Sequence, residues 1–171
     1  MSSLCLAANP KIYSYDIIKL DDEIVIDGIL NENIWNIGQP ITNLIQKDPH
    51  PRSLSRENIE IRVATDNEFI YVGAYLYDNT PDSIASQIIK RDGWGYSDWF
   101  AIGLDSYNDK RTCFSFHVNP SGSIRDMIYF NDTESDDSWD AIWEAKSTIV
   151  SNGWCTEMKI PLSQIRYNPS N

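Results

Sequence analysis

Between Ile59 and Ile160 the chain is a succession of short runs in which apolar and polar residues alternate, each closed by a turn signal, and few folds accept that pattern. Ile59-Glu60-Ile61-Arg62-Val63-Ala64 alternates cleanly. Asp66-Asn67 then turns the chain into Phe69-Ile70-Tyr71-Val72-Gly73-Ala74-Tyr75-Leu76-Tyr77, an aromatic and β-branched run, so the pair predicts a hairpin. Residues 98–104, 112–118, 127–130, 143–150 and 154–160 read as further strands, separated by Asn108-Asp109, Asn119-Pro120-Ser121-Gly122 and Asn152-Gly153. Asn-Gly accepts positive φ at both central positions, which predicts a type I′ turn joining Val150 to Trp154. Helix is confined to a short turn capped by Asn31 and reaching Trp35, and to two or three turns over residues 81–90 with Ile84, Ile88 and Ile89 inward. The expected fold is all-β: one antiparallel β-sandwich, immunoglobulin-like or jelly-roll in type, with one or two short helices.

A chain of 171 residues is large enough to bury a core of its own without disulfides, and no internal repeat or linker divides it. No run is long and apolar enough to form a membrane-spanning helix. The formal net charge of -11 argues against nucleic acid and anionic lipid, whose recognition needs clustered Lys and Arg. Cys5, Cys113 and Cys155 have no metal-site spacing, which argues against zinc. Leu4-Cys5-Leu6-Ala7-Ala8 has the small-x-small pattern that precedes a secretory cleavage point. Residues 1–8 therefore read as a signal remnant and the chain as exported, to the periplasm, outer membrane or cell surface of a bacterium. Cys113 and Cys155 would then be an even pair in an oxidising compartment, and their spacing leaves open whether they meet.

Of six tryptophans, four (Trp94, Trp99, Trp139 and Trp143) lie in Asp-, Gly- and Ser-rich stretches and not in apolar runs. An indole offers an apolar face with a polar edge, which suits a sugar ring whose C–H face stacks while its hydroxyls are hydrogen-bonded nearby. In residues 112–118 the alternation puts Phe114, Phe116 and Val118 on one side and Cys113, Ser115 and His117 on the other. In residues 98–104 it sets Phe100, Ile102 and Leu104 against Trp99, Ala101 and Gly103, small neighbours that leave the Trp99 face uncovered. An extended run through residues 139–145 places Trp139, Ala141, Trp143 and Ala145 together, its two rings on the order of 13 Å apart. That distance serves two sugar units and does not clamp one.

Five pieces in order carry a family likeness. They are Ile26-Asp27-Gly28 through Trp35; Ala64-Thr65-Asp66 leading to Ile70-Tyr71-Val72; Ser97-Asp98-Trp99-Phe100 with Leu104-Asp105; Phe116-His117-Val118-Asn119-Pro120-Ser121-Gly122; and Gly153-Trp154 with Glu157 and Ile160-Pro161. Together they resemble carbohydrate-binding module family 9 across roughly residues 20 to 167. With Arg91-Asp92 and Trp139-Asp140-x-x-Trp143, the likeness extends to the amino-terminal module of large bacterial surface proteins that continue into a membrane β-barrel. The resemblance implies a β-sandwich over residues 20–171, shortened at its C-terminal end, that binds polysaccharide without catalysis. It also implies service to carbohydrate catabolism, or to glycoside hydrolysis by an attached or partner enzyme, and a bound calcium ion. Trp94 lies where such modules place a stacking tryptophan; Ala101 stands near where sugar-binding members carry an acidic residue. The expected ligand residues are Trp94, Trp99, Trp139 and Trp143 for stacking, with Arg91, Asp98 and Asp140 for hydroxyls.

The acidic run Asp132, Glu134, Asp136 and Asp137, with Asp140, supplies enough oxygen for calcium, although without EF-hand spacing. Asp98, Asp105, Asp140 and Glu157 are abundant carboxylates without the pairing that glycoside hydrolysis requires. With only His50 and His117, no Ser-His-Asp order and no phosphate loop can be assembled. Two other readings compete: a haem-binding electron-transfer sandwich with His117 and Met127 as ligands, and a structural docking module that presents an apolar patch to protein.

Overall fold

The computed structural model describes residues 14–20, 24–131 and 134–166; the Cys5 to Ala8 segment and Asp132 lie outside them. Among the described residues nine strands form two sheets. They are β1 (Ile18–Lys19), β2 (Ile59–Thr65), β3 (Phe69–Tyr77), β4 (Phe100–Leu104), β5 (Cys113–Val118), β6 (Ile124–Phe130), β7 (Glu134–Asp136), β8 (Glu144–Val150) and β9 (Gly153–Pro161). The first sheet runs β1-β2-β3-β9-β8 and the second β4-β5-β6-β7. All pairs are antiparallel except β1 with β2. The all-β sandwich expected from the alternation is the fold observed.

The apolar sets that share a side in each strand meet between the sheets. Val72, Ala74, Trp154, Met158 and Ile160 of the first face Phe100, Phe114, Phe116 and Val118 of the second. Burying each such large side chain stabilises the fold by about 1.5–3 kcal/mol, before the entropy of ordering it is set against the gain. A second cluster lies on the outer face of the first sheet, where Ile24 and Trp35 pack on Ala64 and Tyr71. Gly73 permits this cover, because a Cβ there would come within 2.7 Å of the Trp35 ring. The fully buried Glu157 holds the cover down, accepting the Trp35 indole N–H at 2.8 Å and the backbone N–H groups of Gly28 and Asp27 at 2.8 and 3.0 Å. Burial pushes its carboxyl up to about 7, against the pull of those three donors.

Three local expectations change. The predicted helix over residues 81–90 is a single 3-10 turn at Pro81–Ser83, and Ile88 is exposed while Ile84 is buried. Its remaining residues instead exchange hydrogen bonds across a loop, with a Ser86–Ser97 bridge. The Asn31 cap gives way to a 3-10 turn at Asn33–Asn36 that follows Glu32. At the last hairpin Val150 pairs with Gly153, so the two-residue turn is Ser151-Asn152 and not Asn152-Gly153. Gly153 opens β9 at φ +146°, where a Cβ would lie 2.0 Å from the Leu76 carbonyl oxygen. Close approach to β3, not a type I′ turn, is what requires glycine here.

Candidate carbohydrate-binding face

The outer face of the second sheet carries the residues that alternate away from the core. Cross-strand pairing sets Ala101 opposite His117 and His117 opposite Arg125, and in the next row Gly103 opposite Ser115 and Ser115 opposite Met127. Ala101 and Gly103 are small and exposed, which leaves this end of the sheet shallow. Over it folds the loop of residues 85–98. Ala85 and Asp98 exchange hydrogen bonds, Ser97 Oγ donates to the Ala85 carbonyl, and the Tyr96 N–H donates to Gln87 Oε1. Asn119 ties the loop to the β5–β6 turn: its Nδ2 donates to the Gln87 carbonyl at 2.8 Å and to Ser97 Oγ at 3.0 Å, while its Oδ1 accepts the Ser121 and Ser123 N–H groups.

That strap brings Trp94, Trp99 and His117 together, each pair edge-on with ring centroids 6.0–6.5 Å apart. The Arg125 guanidinium lies 3.7 Å from the Trp94 ring centroid, in cation–π contact. Trp94 is nonetheless 65% exposed and its neighbour Tyr96 84%, so two aromatic faces meet solvent at the rim. The floor is buried and mostly donor in character. The Trp99 indole N–H and Arg125 Nε and Nη1 are enclosed without an acceptor. His117 Nε2 is engaged with Ser115 Oγ at 2.9 Å. Burial, with the Arg125 charge adding to it, lowers the His117 imidazole from its ordinary 6.5 to about 4, so at neutral pH the ring is uncharged.

The other sequence-predicted residues lie elsewhere. Trp139, Ala141, Trp143 and Ala145 do share a side, but that side is the core. Trp143 is 5% exposed, packs on Phe116 at 5.2 Å and donates its indole N–H to Asp126 at 3.0 Å. Trp139 is half-buried against Phe114 and Phe116 at 5.1 and 5.6 Å, on the wall of a cleft of about 390 Å³ with Tyr107, Ile128 and Arg166. Neither extends the Trp94 platform.

Arg91 Nη2 contacts Asp126 at 2.7 Å, Asp140 at 2.9 Å and the Ala141 carbonyl at 2.6 Å. Arg91 and Asp140 therefore bind one another and brace the Trp139 to Trp143 segment, with the fully buried Asp126 at the centre. Asp126 alternates inward and Arg125 outward on β6, which sets this network apart from the aromatic face. Asp98 receives the Ala85 N–H at 3.1 Å and, with Trp99, borders a cleft of about 270 Å³ that Glu57, Ile59 and Trp154 also line.

The expected calcium ligands that fall within the described residues do not gather. Glu134 and Asp136 are exposed on the edge strand β7, Asp136 accepts from Ser138, and Asp137 Oδ2 lies 3.8 Å from Arg125. Among the described residues no three His, Cys, Asp or Glu side chains converge where they could hold a metal ion. Met127, the other haem-ligand candidate, is 1% exposed one row along from His117. Sequence reasoning missed Arg125 and Tyr96. Arg125 was legible only through its register with His117, and Tyr96 only through the course of the loop.

No family model matches the sequence, and no curated protein matches it. Solved structures do match. A carbohydrate binding module family 9 from Caldicellulosiruptor kristjanssonii in complex with cellotriose aligns over 90% of this chain and 70% of its own, at TM-score 0.57 and 18% identity. A carbohydrate binding module family 9 from the same organism in complex with glucose aligns over 91% of this chain and 73% of its own, at TM-score 0.53 and 19% identity. A "putative carbohydrate-binding protein" from Bacteroides uniformis aligns over 86% and 72%, at 0.62 and 15%. The fold is that of a family 9 carbohydrate-binding module. On this family 9 fold, the loop of residues 85–98 and the row Ala101–His117–Arg125 form one aromatic-rimmed face, and the N-terminal cover closes the outer face of the opposite sheet.

Proposed function

We propose that this domain binds carbohydrate without catalysis, by stacking sugar rings on Trp94 and Tyr96 at the rim of the outer face of β4–β6. The observation that carries the reading is Trp94, a large aromatic ring 65% exposed yet held edge-on to Trp99 and His117. A purely structural tryptophan is expected to bury its ring, whereas one that stacks a sugar keeps a face free and its orientation fixed. Two solved structures with this fold are complexes with cellotriose and glucose, which supports an oligosaccharide as the ligand class. Tryptophan fluorescence titrated against soluble xylan, glucan, mannan and short oligosaccharides, with and without calcium, tests both the sugar and the ion. The expected result is a saturable shift for at least one glycan in the native protein, weakened tenfold or more in Trp94→Ala with its melting temperature preserved. Equal affinity in Trp94→Ala would overturn the placement.

We further read the domain as an exported module that serves carbohydrate catabolism, with any glycoside hydrolysis belonging to an attached or partner enzyme. The small-x-small run at residues 5–7 supports export, and the likeness to surface-protein modules supports a following membrane β-barrel. Fractionation of the native host tests this: recovery in the periplasm, outer membrane or surface fraction is expected, and a purely cytoplasmic pool would refute it.

A further inference from the structure

Arg125 is the feature that stacking alone leaves unexplained. Its side chain is 5% exposed, so its charge has lost nearly all contact with water. Such a charge is costly unless a counter-charge and hydrogen-bond acceptors compensate it. Here the compensation is incomplete. Among the described residues Nε and Nη1 have no acceptor, and the carboxylate facing Nη2 is Asp137, at 3.8 Å and itself 70% exposed. The adjoining His117 is engaged with Ser115, and across the sheet in the same row stands Ala101, which offers neither charge nor acceptor. The Trp99 indole N–H, also enclosed, lacks an acceptor as well. The Trp94 ring lies 3.7 Å from the guanidinium and is itself 65% exposed, so a ligand stacked on the rim stands beside the cation.

What would satisfy this set is a ligand group that brings negative charge and lone pairs but no proton of its own. A neutral sugar hydroxyl accepts one such bond but then presents an O–H that needs an acceptor. A carboxylate supplies two oxygens with about four lone-pair directions and pairs with a guanidinium in two parallel bonds. Resting on the carbohydrate reading above, we propose that this face is selective for acidic sugar, a hexuronate unit whose ring stacks on the aromatic rim while its carboxylate pairs with Arg125. The net charge of -11 repels loosely held polyanions, so recognition would depend on this one buried cation and not on a diffuse basic surface.

The test is calorimetric titration of the intact protein with trigalacturonate, with its methyl ester, and with cellotriose and xylotriose. The methyl ester keeps the sugar ring and removes the charge, so the comparison needs no variant that might misfold. Trigalacturonate is expected to bind at least tenfold tighter than its ester or either neutral trisaccharide, and Arg125→Lys, checked for an intact melting transition, should lose most of that preference. Equal or tighter binding of the ester or of neutral sugars would overturn the uronate proposal and leave the carbohydrate reading standing. Heat from none of the four ligands, together with silence in the wider glycan titration, would overturn both.

Discussion

His117 and Arg125 are adjacent cross-strand partners under Trp94, and the Arg125 charge disfavours a protonated imidazole. Because burial and the nearby cation lower the His117 imidazole to about 4, the folded protein refuses a proton that the unfolded chain takes up below about 6.5. Stability therefore falls as pH drops through this window, by no more than about 3 kcal/mol from this residue. Glu157 acts in the opposite sense, since a carboxyl raised to about 7 binds its proton more tightly in the folded state and loses that contribution as pH rises. The two are separated by comparing wild type with His117→Gln. The variant is expected to show a shallower loss of stability on acidification from pH 6.5 to 4, and the His117 ring should titrate near 4 in the NMR spectrum. A His117 midpoint near 6.5 would contradict the buried, neutral state.

At the level of elements, two tryptophans one sheet apart have opposite roles. Trp143 precedes β8, fills the core against Phe116 and anchors its indole N–H on Asp126, so Trp143→Ala should cost about 3–5 kcal/mol of folding free energy in a denaturant titration. The same change at the exposed Trp94 should cost far less stability and act on binding. Equal destabilisation by the two would mean that the rim ring is packed as tightly as a core residue. Between these extremes stands the loop of residues 85–98, which depends on Asn119. Asn119→Ala strips acceptor and donor groups at a fully buried position and should cost about 1–3 kcal/mol. It should also weaken glycan binding more than Trp143→Ala does when both remain folded, because it releases the loop that carries Trp94. Unchanged affinity in Asn119→Ala would show that this strap is not what orients the ring.

Across the whole molecule, the two sheets separate groups that the sequence leaves unassigned. Cys155 pairs in register with Tyr75 on the outer side of the first sheet, and Cys113 with Tyr129 on the outer side of the second, both as free thiols. Packed sheets are about 10 Å apart and a disulfide needs Cα atoms within about 7 Å, so the sandwich keeps the pair from bridging. Peptide mapping of the non-reduced protein should recover Cys113 and Cys155 unlinked; a Cys113–Cys155 crosslink would contradict the sheet assignment. The alternation along residues 59–64, 69–77 and 112–118 was sufficient to give the strands and their paired faces, because a period of two is a property of the extended backbone itself. It also grouped Trp139 with Trp143 and Trp99 with Ala101 correctly. What alternation does not contain, where aromatic and small residues share one side as in residues 139–145, is which face turns inward, since that depends on which strands the fold places opposite one another. Only tertiary packing put Trp143 against Phe116 and gave Arg91 to Asp126 and Asp140, and only the loop strapped by Asn119 carried Trp94 across the sheet to cover Arg125.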